Sequence, residues 1–430
     1  MSHDLEQLLT LARQAGAEAA EVYYSRSLSH PVFFEANRLK QLESSESDGT
    51  ALRLWREGCP GLAVAYGPAD PQALVDKAIT LSHLNPPETP ELNEAHTAIY
   101  PTVGESLEVQ TLIDMGKTAI AQIRDQYPEV LCSGELECEE DTTLLMNSKG
   151  LHCQYSDIAI SYYFGVEWIR GEDFLAVYDG EYSRGKLQPD QIVQQLLQRL
   201  AWAKTNATAT TGKVPVLFTP NAATLLWGTV VSALSGKRVQ EKSSPWSDKI
   251  GQNVLADCLT LYQDPTLSPY DCPFDDEGTA TQVLPLITQG RIEQFYSDRT
   301  TARLLGGQST GNGFRPGLGN YPTPSLVNLI VEPGEGSLMD LIGQIDNGLL
   351  IDQSLGGGPD ISGDFSINVD LGYRIEKGQI VGRVKDTMIA GNVYSLLKQI
   401  LALGSDRQWN GSCYTPSLLI EDLSVVGGNF

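Results

Sequence analysis

The feature that most constrains the fold is a repeated order of segments, helix then strands then helix, in the first half of this 430-residue chain. In residues 1–84 an amphipathic helix precedes strand-like runs, and a second helix follows with Pro71 in its first turn, a favoured place for proline. Residues 105–210 repeat the order. Residues 85–104 are rich in proline and acidic residues, which predicts a linker. Two such units indicate an α+β N-terminal half of helices packed on antiparallel strands.

Hydrophobic periodicity defines the elements of the second unit. Its opening helix presents one apolar face, formed by Val109, Leu112, Ile113, Ile120 and Ile123. Its closing helix begins near Pro189 and presents Ile192, Val193, Leu196, Leu197 and Leu200. Between them, the run from Ile158 to Trp168 alternates apolar with smaller or polar residues, which is the period of a half-buried strand.

Residues 214–430 show a different sequence pattern, because glycines separate short strand-like runs. A helix is predicted from a cap at Asn221 to Gly236, and a later one from near Thr387 to Gly404. Residues 287–292 and 375–380 each predict a hairpin, with glycine where a tight turn requires positive φ, and a strand closes the chain. This segment is therefore predicted to be a β-rich C-terminal domain with a few helices.

The charge balance argues against nucleic-acid or membrane partners. The chain has 30 basic and 54 acidic residues, a formal net charge of −24, and a field of this sign repels phosphate backbones and anionic lipid. The N-terminus lacks the basic start and apolar block of a signal peptide, and no run approaches the length of a membrane span. We therefore expect a cytoplasmic protein that binds neither nucleic acid nor membrane.

Cysteine and histidine usage restricts the chemistry. Seven cysteines form no CxxC pair, which argues against a disulfide scaffold or a structural zinc site. The five histidines are His3, His30, His83, His96 and His152. None follows position 152, so the Gly-rich half has no histidine to act as a general base or zinc ligand.

Several short patterns are similar to those of known functional sites. Residues 307–311 fit G-x-S-x-G, but no helix and no histidine follow, so we interpret them as a Gly-rich loop. Residues 355–359 lack the Gly-Lys-Ser/Thr ending of a phosphate loop. The carboxylates of Asp275, Asp276 and Glu277 have oxygens that suit a hard cation, but their spacing favours an acidic turn.

Taken in order, the C-terminal motifs resemble the TldD/TldE (PmbA) family, whose members are also labelled modulators of DNA gyrase. The matching segments are FTPNAATLLW, the Ser235-Gly236 helix end, SPWSDKIGQ, FDDEGTATQ, the run Ser309-Thr310-Gly311-Asn312 with Arg315, SGDFS, and PSLLIEDLSVVGG. Weaker similarity covers the N-terminal segments. The resemblance implies an α+β half followed by a β-rich domain. It also implies a cytosolic zinc peptidase assembly of a catalytic TldD-type subunit and a TldE-type subunit.

The catalytic type carries His-Glu-x-x-x-His on the helix after the first strand of the C-terminal domain, and a late cysteine supplies a third zinc ligand. In this chain Trp227 and Ser232 stand at the histidine positions and Gly228 at the glutamate position. Cys413 is the only late cysteine, and we interpret it as a small buried residue. The resemblance therefore implies the TldE type, with no catalytic or metal residue in this chain and zinc in the partner subunit.

Three hypotheses follow. In the first, the chain is the non-catalytic subunit of a peptidase that acts on unstructured peptides, paired with a TldD-type subunit. In the second, it is a stand-alone binding protein, such as a homodimer, that regulates gyrase or a toxin–antitoxin pair. The third is a hydrolase with a site not foreseen in the sequence.

Three expectations concern individual residues. The peptide-contact candidates are Ser309, Thr310, Gly311, Asn312, Arg315 and Asp364. Arg315 is expected to be exposed, so that Arg315→Ala changes stability by less than about 1 kcal/mol. Trp227 is expected either to fill the volume of a vanished zinc site or to be an ordinary core aromatic.

Overall fold

The computed structural model describes the backbone of residues 2–428 and the side chains of residues 4–428, so the side chain of His3 lies outside it. The elements of the first half are α1 (Ser2–Gln14), β1 (Ala19–Glu35), β2 (Arg38–Leu42), β3 (Ser45–Arg56), β4 (Cys59–Tyr66), α2 (Pro71–Ser82), β5 (Thr97–Ile99), α3 (Val109–Gln126), β6 (Leu131–Asn147), β7 (His152–Arg170), β8 (Asp173–Ser183) and α4 (Pro189–Trp202). No helix within residues 2–428 combines the length and apolarity needed to cross a membrane.

The elements of the second half begin with β9 (Gly212–Phe218), α5 (Pro220–Leu234), α6 (Gly236–Gln240), β10 (Leu261–Gln263), β11 (Leu284–Thr288), β12 (Arg291–Ile292), α7 (Arg299–Leu304), β13 (Gly313–Phe314), β14 (Thr323–Pro324) and β15 (Leu329–Val331). They continue with α8 (Leu338–Gly343), β16 (Asn347–Leu355), β17 (Asp364–Glu376), β18 (Gln379–Arg383), β19 (Thr387–Asn392), α9 (Val393–Leu396), β20 (Ile400–Leu403), β21 (Gln408–Asn410), β22 (Cys413–Thr415) and β23 (Leu418–Gly427). The predicted fold class, α+β with a β-rich C-terminal region, is confirmed.

The strands of the two N-terminal units form one eight-stranded sheet. Its order is β4-β3-β1-β6-β7-β5, with β2 added to β1 and β8 added to β7. β1 of the first unit pairs antiparallel with β6 of the second along most of its length, from Glu21 opposite Asn147 to Phe34 opposite Gly134. The segment predicted as a linker contains β5, which pairs parallel with β7. The two units therefore share a single layer.

Helices α3 and α4 lie between this sheet and the main sheet of the C-terminal half. One apolar cluster contains their inward faces together with side chains of both sheets. The eight-stranded sheet contributes Leu136, Tyr162 and Phe164, and the C-terminal sheet contributes Leu217, Leu350 and Tyr373. Since all six side chains are at most 1% exposed, the two halves of the chain share a continuous core.

The C-terminal half is built on a seven-stranded sheet of order β16-β9-β23-β19-β17-β18, with β20 added to β23. β16 also pairs with β17, so five of these strands close into a ring. The pleat of β9 sends Val216 and Phe218 to a cluster that contains Leu226 and Trp227 of α5, while Leu217 points to the other side. α5 is thereby fixed against this sheet by its apolar face.

A six-stranded sheet, β12-β11-β10-β15-β22-β21, completes the C-terminal half. Both predicted hairpins are confirmed as β11–β12 and β17–β18. Their turn residues have positive φ at both central positions, 48° and 77° at Gln289-Gly290 and 48° and 73° at Lys377-Gly378. This is the geometry of type I′ turns, which match the twist of the flanking strands.

The later predicted helix is wrong over most of its length. Thr387 begins strand β19, which pairs with β17 on one side and β23 on the other. Only Val393–Leu396 are helical before β20 begins. Thr387 and Ile389 are buried while Met388 between them is 40% exposed, so the period of two prevails because both neighbouring strands supply hydrogen bonds.

Candidate functional site

A cleft of about 1080 Å³ runs along the free edge of β8, between the two halves of the chain. One wall consists of β8 and α4, and the other of α5, the end of β16 and the β21–β22 hairpin. The residues that line it include Ser161, Tyr163, Tyr178, Asp179, Tyr182, Lys186, Arg199, Gly228, Tyr270, Asp352, Arg407, Trp409 and Tyr414. Among the strands that the structure describes, β8 pairs with β7 alone, so its other edge is left without a strand beside the cleft.

A buried ion-pair group forms the base of the cleft. Arg199 on α4 pairs through Nε with Asp352 Oδ2 on β16 at 2.7 Å, and through Nη1 with Asp179 on β8. The Tyr373 hydroxyl donates to the Arg199 carbonyl at 3.2 Å. Burial raises the pKa of Asp179, and the neighbouring guanidinium opposes that rise. The group ties the first half to the C-terminal sheet, since each acid comes from a different half.

A line of aromatic rings crosses the cleft between the halves. Ring centroids are 5.2 Å apart for Tyr182 and Tyr270, 4.9 Å for Tyr270 and Trp409, and 4.8 Å for Trp409 and Tyr414. The guanidinium of Arg407 lies 4.7 Å from the ring centre of Tyr414. These rings supply flat apolar surfaces that accept a cation on their faces.

Helix α5 presents different residues to the cleft and to the core. Its N-cap is Thr219, two residues before the predicted Asn221, and its Oγ1 accepts from the Ala222 amide at 3.3 Å. Gly228 is exposed in the cleft wall, and a Cβ added there would meet no atom within 4 Å. Trp227 turns away and is 1% exposed, with its indole Nε1 donating to Thr415 Oγ1 at 2.8 Å.

The side chains at the expected zinc positions do not fit zinc. Trp227 offers an N–H donor and no lone pair, Gly228 has no side chain, and Ser232 is a half-buried hydroxyl. Cys413 lies on β22, the strand that holds Thr415, and burial raises the pKa of its thiol to about 12. Among the side chains that the structure describes, no cluster of three or more His, Cys, Asp or Glu residues suits a metal ion. We derive no catalytic step through zinc in this chain.

The peptide-contact candidates are not brought together at the cleft. Thr310 and Asn312 are buried, and Asn312 donates to Gln263 Oε1 at 2.7 Å. Gly311 has φ 73°, and a Cβ there would lie 2.4 Å from the Ala280 carbonyl oxygen, so the loop requires glycine. Ser309 is half-buried beside the same loop. Asp364 is exposed elsewhere and accepts from Asn392 Nδ2 at 2.9 Å. None of these residues lines the cleft.

The expectation that Arg315 is exposed is wrong, because its side chain is 2% exposed. Its Nη2 pairs with Glu21 Oε1 of β1 at 2.5 Å, and its guanidinium lies 4.9 Å from the ring centre of Tyr23. Arg53 of β3 pairs with the same Glu21 oxygen at 3.1 Å. The Gly-rich loop therefore docks onto the N-terminal sheet, and Arg315 joins the two halves of the chain.

The acidic turn at residues 275–277 stabilises the loop that carries Arg315, and so the contact between the two halves of the chain. Asp275 accepts from the backbone amides of Gly313, Thr279 and Glu277 at 2.8–3.0 Å. Asp276 Oδ2 accepts from the Arg315 amide at 2.7 Å. Burial raises the pKa of Asp275, and the backbone donors oppose that rise. The interpretation of these carboxylates as a turn agrees with these contacts.

The residues that form the cleft were not identified from the sequence. Tyr178 and Tyr182 lie on the edge strand β8, while Trp409 and Tyr414 lie in the β21–β22 hairpin, more than two hundred positions later. Single aromatics at such spacing carry no local signal. The one clue in the sequence is Gly228, because glycine within a helix lowers the stability of the helix and is therefore more often kept for packing or function.

Comparison with known proteins places the chain in a family. The PmbA/TldA metallopeptidase C-terminal domain matches residues 211–427, and domain 1 of these metallopeptidases matches residues 20–82. The chain is 26% identical to an uncharacterized protein of Methanocaldococcus jannaschii, over 97% of this chain and 99% of that protein. It is 30% identical to the metalloprotease PmbA of Escherichia coli O157:H7, over 50% of this chain and 46% of PmbA.

Solved structures share the complete fold. TldE from Thermococcus kodakarensis superimposes with a TM-score of 0.92 at 24% identity, covering 99% of this chain and 100% of that one. A Thermotoga maritima protein described as a candidate modulator of a DNA gyrase superimposes with a TM-score of 0.88, also at 24% identity, covering 99% and 100%. The C-terminal match spans half of the sequence, and the ordered motifs lie within it, so the chain belongs to the PmbA/TldD metallopeptidase family.

Proposed function

We propose that this chain is the TldE (PmbA)-type subunit of a cytosolic TldD/TldE zinc peptidase assembly that acts on unstructured peptides, and that it is itself non-catalytic. The observation that carries the proposal is helix α5. It borders the large cleft, as a catalytic helix would, yet its residues Trp227, Gly228 and Ser232 offer neither zinc ligands nor a general base. The zinc and its bound water belong to the partner subunit.

The role of this chain is then to position the peptide substrate rather than to cleave it. Trp227 occupies the core side of α5 and fixes the helix to β22 through Thr415. Gly228 leaves the cleft side of the helix without a side chain, so the backbone of a bound peptide can approach closely. Arg199 and its two acids join the two walls at the base of the cleft.

An extended peptide can lie along β8, whose free edge borders the cleft. Part of that edge is already used, because Gln353 Nε2 donates to the Tyr178 carbonyl at 3.1 Å and Arg383 Nη1 to the Phe174 carbonyl at 2.8 Å. The Gly180 amide is also used, since it donates to Asp179 Oδ1 at 2.8 Å, so strand addition is confined to the Gly180 carbonyl and the residues that follow it to Ser183. The aromatic line through Tyr182 bounds this segment and contacts side chains of the peptide.

Co-expression with a TldD-type subunit tests the proposal. We expect a stable complex by size-exclusion chromatography, and cleavage of an unstructured peptide by the complex that the present chain alone lacks. A matched control uses the TldD-type subunit with its HExxxH glutamate changed to glutamine, which should preserve the complex and abolish cleavage. Absence of a complex, or cleavage by the present chain alone, would refute the proposal. A pull-down that returned gyrase and no TldD-type subunit would support a stand-alone regulator instead.

A further inference from the structure

A row of carboxylates on β6 borders the cleft. Glu135, Glu137 and Glu139 occupy alternate positions and point to one face of the eight-stranded sheet, while Leu136 and Cys138 between them are buried on the other face. We call these three residues the acidic row. Its members are exposed or half-buried.

Strand register places this row directly beside the cleft. Glu135 is paired with Tyr163 and Glu137 with Ser161 on β7, and Ser161 is in turn paired with Tyr182 on β8. Ser161, Tyr163 and Tyr182 all line the cleft. Since neighbouring strands are about 4.8 Å apart, the cleft wall and the acidic row form one continuous surface.

Within residues 4–428 the acidic row has no lysine or arginine as an ion-pair partner. Glu139 accepts from Ser27 Oγ at 2.6 Å and Glu137 accepts from Ser29 Oγ, but in the described part of the chain no member forms an ion pair with lysine or arginine. Successive members are about 7 Å apart, so their charges repel. Partial burial, and then the charges of Glu137 and Glu43, raise the pKa of Glu135. Cations supplied by a ligand would relieve this repulsion.

The cleft next to the row offers ring faces that suit the same cations. Tyr163 is 49% exposed and stacks on Tyr178, with centroids 6.0 Å apart. The contact between Arg407 and Tyr414 is a guanidinium–ring pair already present in this cleft. The acids that line the cleft are accompanied by Lys186 and Arg407, so the charge of the cleft is mixed, and the adjoining acidic row adds further negative charge.

We infer that the cleft and the acidic row together bind an extended peptide segment that carries lysine or arginine at alternate positions. An extended chain repeats its side chains on one face every two residues, which is the spacing of the row itself. The aromatic faces of the cleft hold the side chains beyond the row. This inference rests on the proposed role in peptide handling and names the class of peptide.

Peptide binding to the full chain, measured by fluorescence anisotropy, tests the inference without any partner subunit. The probes are three labelled unstructured peptides of about ten residues, long enough to span the row. The first alternates lysine with serine, the second alternates glutamate with serine, and the third has the composition of the first with its lysines grouped. At about 50 mM salt we expect the alternating lysine peptide to bind about tenfold more tightly than the glutamate peptide, and the preference to shrink at about 300 mM. We expect the grouped peptide to bind more weakly than the alternating one.

The double variant Glu137→Gln with Glu139→Gln removes charge from the row while its amides still accept from the two serines. We expect it to lose most of the preference for the lysine peptide. Glu140→Gln is the matched control, because Glu140 is the next residue on the same strand and lies on the opposite face. Equal affinity for the three peptides, or an equal loss in the control and the double variant, overturns the inference. Complex formation with a TldD-type subunit is measured separately, so failure here leaves the proposed function standing.

Discussion

The indole Nε1 of Trp227 donates a 2.8 Å hydrogen bond to Oγ1 of Thr415, and both residues are at most 1% exposed. The bond joins α5, which borders the cleft, to β22, which carries the late cysteine Cys413. The side chain at the first motif position thus lies beside the strand that would supply a third ligand. Superposition on a catalytic relative that contains its metal decides between a vestigial site and an ordinary core tryptophan. A metal position far from Trp227 would exclude the vestige.

Trp227→Ala should lower the free energy of unfolding by about 3–5 kcal/mol, because the cavity left by the indole cannot close fully. Thr415→Val isolates the hydrogen bond, since it keeps the shape and leaves the buried N–H unpaired, at a cost of about 1–3 kcal/mol. Chemical denaturation measures both. A loss below about 1 kcal/mol for Trp227→Ala would show that the indole is not tightly packed.

Arg315→Ala should destabilise the chain by about 3 kcal/mol or more, because it leaves the Glu21 carboxylate buried with fewer partners. The control is Arg303→Ala, which breaks a pair with Glu91 where the arginine side chain is 48% exposed. That change should cost no more than about 1 kcal/mol. Thermal unfolding of the two variants compares them directly, and equal shifts would contradict the junction described for Arg315.

Asp141 should make stability depend on pH. Burial, and then the neighbouring charge of Glu139, raise the pKa of Asp141 to about 6 in the folded chain, against an ordinary value of 3.8. A raised carboxyl pKa means that the folded state binds more protons, so this contribution to stability falls as pH rises from about 4 to about 6.

Asp141→Asn should therefore stabilise the chain at pH 7, by about 1 kcal/mol after allowance for solvent screening, and have little effect near pH 4. Denaturation midpoints of variant and parent across this range provide the measurement. Glu140→Gln serves as the control, because it removes a charge from the exposed opposite face. A pH-independent difference between Asp141→Asn and the parent would contradict the assignment.

Gly228→Ala should raise stability by about 0.5–1 kcal/mol, because alanine is the better helix former and the added Cβ meets open space. If Gly228 is kept for close approach of a peptide, the same variant should bind the alternating lysine peptide more weakly. Circular dichroism on heating and anisotropy separate the two effects. A loss of stability would show that the added methyl group is not accommodated at this position, contrary to the open space described for it.

The purified chain should hold less than one equivalent of zinc in elemental analysis, since its α5 positions supply no ligand set. Restoring the motif with Trp227→His, Gly228→Glu and Ser232→His should give at most weak zinc binding, because supporting hydrogen bonds around the ligands are missing. One tightly bound equivalent in the parent chain would contradict this prediction.

The sequence alone determined the elements whose pattern is local. The apolar spacing of α3 and α4, the alternation along β7 and the turns at Gly290 and Gly378 are properties of a few neighbouring residues, and the structure has each of them. The sequence also shows, without any coordinates, that no histidine follows position 152 and therefore that no His-Glu-x-x-x-His motif lies in the C-terminal half. The family resemblance was also readable in the order of the motifs.

Only the tertiary structure decided the roles that depend on distant contacts. Arg315 was expected to be exposed, since it lies in a Gly-rich run, but its side chain is buried against Glu21. Glu21 lies 294 positions earlier in the chain, so no local pattern could predict this contact. The apolar spacing of the residues from Thr387 predicts a helix, but they begin with a strand, because β17 and β23 flank them. The cleft depends on β8, α5 and the β21–β22 hairpin, which meet only after the sheets have paired. Local pattern predicts most helices and turns, whereas long-range strand pairing can override it, as at Thr387, and decides which side chains share a surface.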